Sequence, residues 1–155
     1  MKRDKNNFEY AKWLGLYYLS FRMHTRAELL DKLRKKDVSP PFCEQALQYF
    51  EDEGYIDDFD YAVRFIKDGN NLNGRGPSRI RAQLQEKRID SATISRAFAC
   101  ANVDFDSELT RVLEKKADTL DLSDKKDRDR LIRYLLQKGF KYADIFDKLR
   151  GHCNS

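Results

Sequence analysis

Apolar positions along this chain recur at a spacing of 51 residues. Leu29, Ile80 and Leu131 form one column, Leu33, Leu84 and Leu135 a second, Val38, Ile89 and Phe140 a third, and Leu47, Phe98 and Leu149 a fourth. A fixed period of this size means one supersecondary unit used three times, each burying part of its apolar face against a neighbour. The pattern predicts an all-α fold of three tandem three-helix repeats, spanning residues 1–56, 57–107 and 108–155, in an elongated, curved array. Function is then expected on a long composite surface, not in one pocket.

Within a unit the spacing is helical. Tyr10, Ala11, Leu14, Tyr17, Tyr18 and Phe21 recur every three to four residues and predict an opening helix with an aromatic stripe, which reads as core more than as a base-stacking platform. Thr25 and Glu28 form a capping-box start for a second helix carrying Leu29, Leu30 and Leu33. Ser39-Pro40-Pro41 launches a third, with Cys43, Ala46, Leu47 and Phe50, which Gly54 can end in a left-handed conformation. Asp57 or Asp58 caps the next opening helix, and Asp90 or Ser91 the third helix of the middle unit. Gly139 stands where the second helix of the last unit should stop, and the matching positions hold Asp37 and Arg88. An arginine with positive φ would cost on the order of 1 kcal/mol, so either the middle helix ends differently or packing absorbs the strain.

Composition narrows the function. Of 155 residues 36% are charged and 41% apolar, with three prolines and seven glycines, as suits a helical protein with a well solvated surface. No run is long enough for a membrane span, and the opening stretch lacks the apolar segment of a signal peptide, so the cytoplasm is the expected compartment. Cys43, which shares a column with Ile94 and Ile145, reads as a small buried hydrophobe, and Cys100 and Cys153 lie far from it. His24 and His152 lack ligand spacing and read as exposed polar residues; neither a metal nor a cofactor is expected. Gly74-Arg75-Gly76-Pro77 matches no phosphate-loop or dinucleotide fingerprint, and no residues are set for catalysis, so no enzyme is expected.

The net charge of +4 is unevenly spread: Arg22–Lys36, Gly74–Arg88 and Lys125–Lys141 together carry about +13 and the rest about −9. All three segments centre on the second helix of a unit. They predict a discontinuous basic track of Arg22, Arg26, Lys35, Lys36, Arg75, Arg79, Arg81, Lys87, Lys125, Lys126, Arg128 and Arg133, suited to a phosphate backbone or to the acidic groove of a protein assembly; ordinary solvated faces are the plainer reading. Gly76-Pro77 opens a helix whose free amides, with Arg75 and Arg79, predict an anion site. Arg81, in the column of Leu30 and Ile132, is either a binding residue or a side chain lying along the core edge.

The segment from Gly54 to Ala62, with Tyr55, Asp57 and Asp58, followed by Gly74 to Leu84 with Gly76 and Pro77, resembles the central signature of the RecX family of recombination regulators. Leu19 to Arg22, Glu28 to Leu33, and Leu135 to Phe140 with Gly139 extend the resemblance over nearly the whole chain; Asp37 and Arg88 depart from it, standing where the family often has glycine. It implies tandem three-helix repeats in a curved molecule that regulates, and mainly inhibits, the RecA recombinase. Such a protein binds the RecA filament on DNA and restrains its ATPase, strand-exchange and coprotease activities in recombination, DNA repair and the SOS response. The expected partners are that filament and, weakly, single-stranded DNA, with double-stranded DNA left open; no membrane partner is expected, and the expected state is a monomer. Of the two signature aspartates, one is expected to cap a helix and the other is free to face the filament. The alternative is a direct DNA-binding regulator of helix-turn-helix type, although no unit has a helix of Arg, Asn and Gln set to read base edges.

Overall fold

The structure, a computed structural model, describes residues 6–153, without the side chains of 70–72, 152 and 153. The opening residues 1–5 and the side chains of His152 and Cys153 lie outside it. Among the described residues there are nine helices and no strand: α1 Phe8–Leu19, α2 Arg26–Lys35, α3 Pro40–Asp52, α4 Asp58–Asn73, α5 Pro77–Glu86, α6 Ser91–Ala101, α7 Phe105–Ala117, α8 Lys125–Lys138 and α9 Tyr142–Cys153. They form three consecutive triplets. No described helix is long and apolar enough to cross a membrane.

Local chemistry sets the helix ends. Thr25 and Glu28 make the reciprocal capping box of α2, each bonding the other's backbone N–H at 3.1 Å. Asp57, Asp90 and Asp104 accept the N–H groups of Asp60, Thr93 and Ser107 at the starts of α4, α6 and α7, which satisfies donors that have no partner inside the helix. Pro40 and Pro77 occupy first-turn positions of α3 and α5, where a missing N–H costs nothing. Gly54 follows α3 with φ 78°, and Gly139 follows α8 with φ 99°.

Each triplet closes on its own core. Leu29, Leu33, Cys43, Leu47 and Phe50 fill the first, Ile80, Leu84, Ile94 and Ala97 the second, and Leu131, Leu135, Ile145 and Leu149 the third. The columns seen in the sequence are therefore buried columns, with Phe98 only partly covered. Full burial of one such aliphatic side chain stabilises by about 1.5–3 kcal/mol, so cores this small need their neighbours. Cys43 is fully buried and directs its thiol to the Val38 carbonyl at 3.4 Å, while Cys100 is exposed. The 51-residue period holds for the third helices, which begin at 40, 91 and 142, and drifts in the first helices, which begin at 8, 58 and 105; the boundary drawn at 107/108 falls inside α7.

Two expectations fail here. His24 is not an exposed polar residue but is 97% buried, with Nδ1 at 2.9 Å from the Arg22 carbonyl and Nε2 without a partner. The aromatic stripe of α1 is not core as a whole. Ala11, Leu14 and Gly15 face inward, and a Cβ on Gly15 would collide with the Phe50 ring. Trp13 and Tyr17 are half exposed and Phe21 more so, in an outer row that Tyr10 opens, where Tyr10, Trp13 and Tyr17 stack and Phe21 meets Tyr17 edge-on. An inner face of small residues brings α1 close to α3 and leaves the larger rings no room on that side.

Candidate partner-binding surface

The three basic helices meet end to end. The N–H of Gly76, at the start of α5, donates to the carbonyl of Lys138 at the end of α8 (2.6 Å), and the N–H of Ser78 donates to that of Gly139 (3.0 Å). One repeat earlier, the hydroxyl of Thr25 at the start of α2 donates to the carbonyl of Lys87 at the end of α5 (3.4 Å). Donors at one helix start, backbone N–H groups at the second junction and a capping hydroxyl at the first, thus meet unpaired carbonyls at another's end, and the opposed partial charges of the two ends favour the contact. Among the described residues no hydrogen bond or ion pair joins the first triplet to the third.

This arrangement corrects the anion site expected at Gly76-Pro77. Its amides are occupied by the end of α8, and Arg79 donates to the Gln137 carbonyl at 3.2 Å. Arg75 bonds Gln83 at 2.6 Å and lies 5.6 Å from the Phe65 ring centroid. Arg81 settles along the core edge, its guanidinium 4.9 Å from the Phe98 centroid.

The first triplet and its junction consume further candidates. Within the triplet Arg26 is gripped by Glu44 at 2.6 Å and Glu51 at 2.7 Å of α3, and the Glu44 bond, aided by Glu51, holds its pKa up. Lys87 pairs with Glu28 at 3.6 Å and sits 5.6 Å from the Tyr61 centroid. Burial pushes Glu28 up, but the Thr25 N–H, Lys87 and Arg22 together outweigh it and hold its carboxyl below the usual value. Asp58, the aspartate left free to face a filament, instead accepts the N–H of Arg26 at 2.9 Å; burial raises its pKa. Both signature aspartates are used within the fold. Arg88 does adopt positive φ, 61°, and the strain is offset across the junction by bonds to the Ala27 carbonyl and to Asp31.

What remains free lies at the two ends of the line. Lys35 and Lys36 close α2, Lys125 and Lys126 open α8, and Arg133 lies on α8; all are exposed and, among the described residues, without a partner. Arg22 is half exposed with one carboxylate, Glu28, at 3.1 Å. Arg128 caps the preceding loop through the Leu122 and Ser123 carbonyls at 3.0 and 3.3 Å. Lysines at the end of α2 suit the helix dipole, whereas Lys125 and Lys126 in the first turn of α8 sit against it. Helix energetics does not account for that second pair. Among the other signature positions, Ala62 and Phe140 are buried, and Tyr55 lies half exposed against Tyr49 and Phe50.

Sequence reasoning missed the junctions. Lys138, Ala27 and Asp31 stand outside the candidate set, and the available signal was the glycine pair Gly76 and Gly139: a Cβ on Gly76 would run into the Gly139 backbone, and one on Gly139 into Arg79.

Family models describing the first, second and third three-helix domains of RecX match residues 11–50, 57–97 and 106–149. The chain belongs to the RecX family. The regulatory protein RecX of Streptococcus agalactiae serotype Ia is 34% identical over 134 residues, 86% of this chain and 52% of its own length. That of Streptococcus pneumoniae strain Hungary19A-6 is 30% identical over 152 residues, 95% of this chain and 58% of its own. The chain thus spans little more than half the length of these RecX relatives. The crystal structure of RecX from Lactobacillus salivarius superimposes with a TM-score of 0.83 at 26% identity, covering 93% of this chain and 95% of that one. RecX membership makes the chain an array of three tandem three-helix domains.

Proposed function

We propose that this chain regulates the RecA recombinase by binding the RecA filament on DNA and restraining its ATPase, strand-exchange and coprotease activities. RecX membership supports the partner. The observation that carries the binding mode is the end-to-end chain of α2, α5 and α8 with unpartnered cations at both extremities, Lys35 and Lys36 at one and Lys125 and Lys126 at the other, and Arg133 further along α8. A line of charge broken in the middle suits a partner that repeats along its length, because separated contacts made by one rigid body raise one another's effective concentration. The exposed row Trp13, Tyr17, Phe21 and Met23 adds an apolar contact beside Arg22.

Retention of the chain on immobilised single-stranded DNA, measured with and without RecA across a salt series, tests this. RecA should increase retention, and the chain should slow ATP hydrolysis by the filament. Replacing Lys125, Lys126 and Arg133 by Glu should weaken inhibition at least about tenfold at an unchanged melting temperature, since exposed charges add little to stability and much to encounter. Equal retention without RecA would favour the direct DNA-binding alternative.

A further inference from the structure

A separate cationic cleft lies between the second and third triplets. It encloses about 330 Å³ between the end of α4, the C-terminal half of α7 and the C-terminal half of α8. Arg111, Lys115 and Lys116 of α7 and Lys138 of α8 line it together with Tyr134, and no carboxylate does. None of these four cations belongs to the basic track read from the sequence.

The cleft is organised. The Tyr134 ring carries the Lys116 ammonium 4.8 Å from its centroid and the Lys138 ammonium at 5.7 Å, and Lys138 donates to the Asn73 carbonyl at 3.2 Å. Gly74, with φ 61°, forms part of the wall, and a Cβ there would stand 3.2 Å from Val112, 3.5 Å from the Arg111 guanidinium and 3.8 Å from the Glu108 carboxylate, so the missing side chain keeps the space open. Lys115 has no partner among the described residues.

Helix dipoles alone do not call for this much charge. Three helices end at the cleft, and their C-termini contribute about half a negative charge each. Glu108, which pairs with Arg111 beside the Gly74 wall, adds one more. Against four cations this leaves an excess of at least roughly 1.5 positive charges around one half-open cleft, since the end of α8 is already met by the start of α5. A single strand of nucleic acid presents its charges one after another in a line and engages a groove. Cations converging from two helices on one cavity match a compact anion that concentrates several charges.

We propose that this cleft binds an oligophosphate, either free or as the phosphate tail of a nucleotide. Arg111 and the three lysines hold the phosphate oxygens, and Tyr134 fixes the spacing of Lys116 and Lys138. The inference does not rest on the RecA reading, and its test contains no RecA.

The full chain is titrated calorimetrically with sodium tripolyphosphate, with ATP lacking magnesium, and with a short single-stranded oligodeoxynucleotide. Tripolyphosphate should bind and raise the melting temperature. The double variant K115Q/K116Q should lose at least about tenfold in affinity, because each charge-assisted hydrogen bond removed is typically worth that much. K125Q/K126Q removes the same charge from the start of α8 and should leave binding within about twofold. K115Q alone, at an exposed position that covers nothing, should show a smaller loss in the same direction, which separates binding from any packing effect of Lys116. ATP binding as tightly as tripolyphosphate identifies the phosphate tail as the ligand, and tighter binding adds a nucleoside contact. No binding of tripolyphosphate, equal losses in the two double variants, or a preference for the oligodeoxynucleotide would overturn the proposal.

Discussion

Gly76 donates its N–H to the carbonyl of Lys138 at 2.6 Å, and the backbone of the next residue, Gly139, fills the space a Gly76 side chain would need. Two successive triplets therefore touch backbone to backbone at this point. Gly76→Ala should destabilise by up to about 3 kcal/mol, because the obstructing atoms are main chain and cannot rotate away. In hydrogen exchange the amide of Ser78, which bonds Gly139, should lose protection with it. Gly151→Ala is the control: nothing lies within 4 Å of its Cβ position, and within helix α9 alanine should be neutral or better. Equal melting temperatures for the two variants would mean that the junction contributes nothing to stability.

Asp37 and Arg88 occupy equivalent positions with φ 62° and 61°, yet glycine should act differently at each. Asp37→Gly relieves left-handed strain and removes no side-chain partner, so stability should rise by about 0.5 kcal/mol after the unfolded-state entropy of glycine is subtracted. Arg88→Gly relieves the same strain but gives up the bonds to Ala27 and Asp31, and should be neutral or destabilising. Denaturant melts that show equal gains would deny Arg88 any role at the first junction.

His24 predicts an acid sensitivity. Burial lowers its pKa from 6.5, with Arg22 and Lys32 acting in the same sense and the Arg22 carbonyl and Glu28 partly opposing. Below pH 6.5 the unfolded chain takes up a proton that the folded chain does not, so stability should fall as pH drops through 6.5 and level off below the folded pKa. Unfolding free energies of wild type and His24→Leu, measured from pH 7.5 down to 5, should diverge in slope over that window. Parallel curves would assign the pH dependence to other groups.

Trp13 is the chain's one tryptophan and is 50% exposed in the outer row of α1. Its emission should shift to shorter wavelength when the chain meets a RecA filament, and Trp13→Ala should weaken that association several-fold at an unchanged melting temperature, since large aromatics at the centre of an interface carry much of its energy. An emission spectrum unmoved by the filament would place the row outside the contact.

The cores were legible in the sequence because burial repeats: Leu29, Ile80 and Leu131 are fully buried at the same place in each unit. Capping was legible at Thr25, and at Asp57 to within one residue since Asp58 was the alternative, because such side chains have few other uses before a helix. The inner and outer sides of α1 were not. Trp13 and Ala11 both fit a helical stripe, and only the closeness of Gly15 to Phe50 shows which side faces in. The fate of the basic residues was hidden for a related reason. Arg26, Lys87 and Arg79 resemble Lys125 and Lys126 in sequence, but Arg26 is occupied by two glutamates of its own triplet, Lys87 and Arg79 by groups brought close only when the triplets meet, and a contact between backbone amides and carbonyls leaves no side-chain signature beyond a glycine.

The end-to-end contacts also give the molecule a direction. At each junction the start of one helix neutralises the end of another, so the unmatched poles of α2, α5 and α8 survive only at the extremities, the end of α2 and the start of α8. The two extremities differ in polarity although both carry lysines. Turned end for end, the molecule would present a different sequence of fields to whatever lies beneath it, so a partner that itself has a head and a tail will accept it in one sense and not the other.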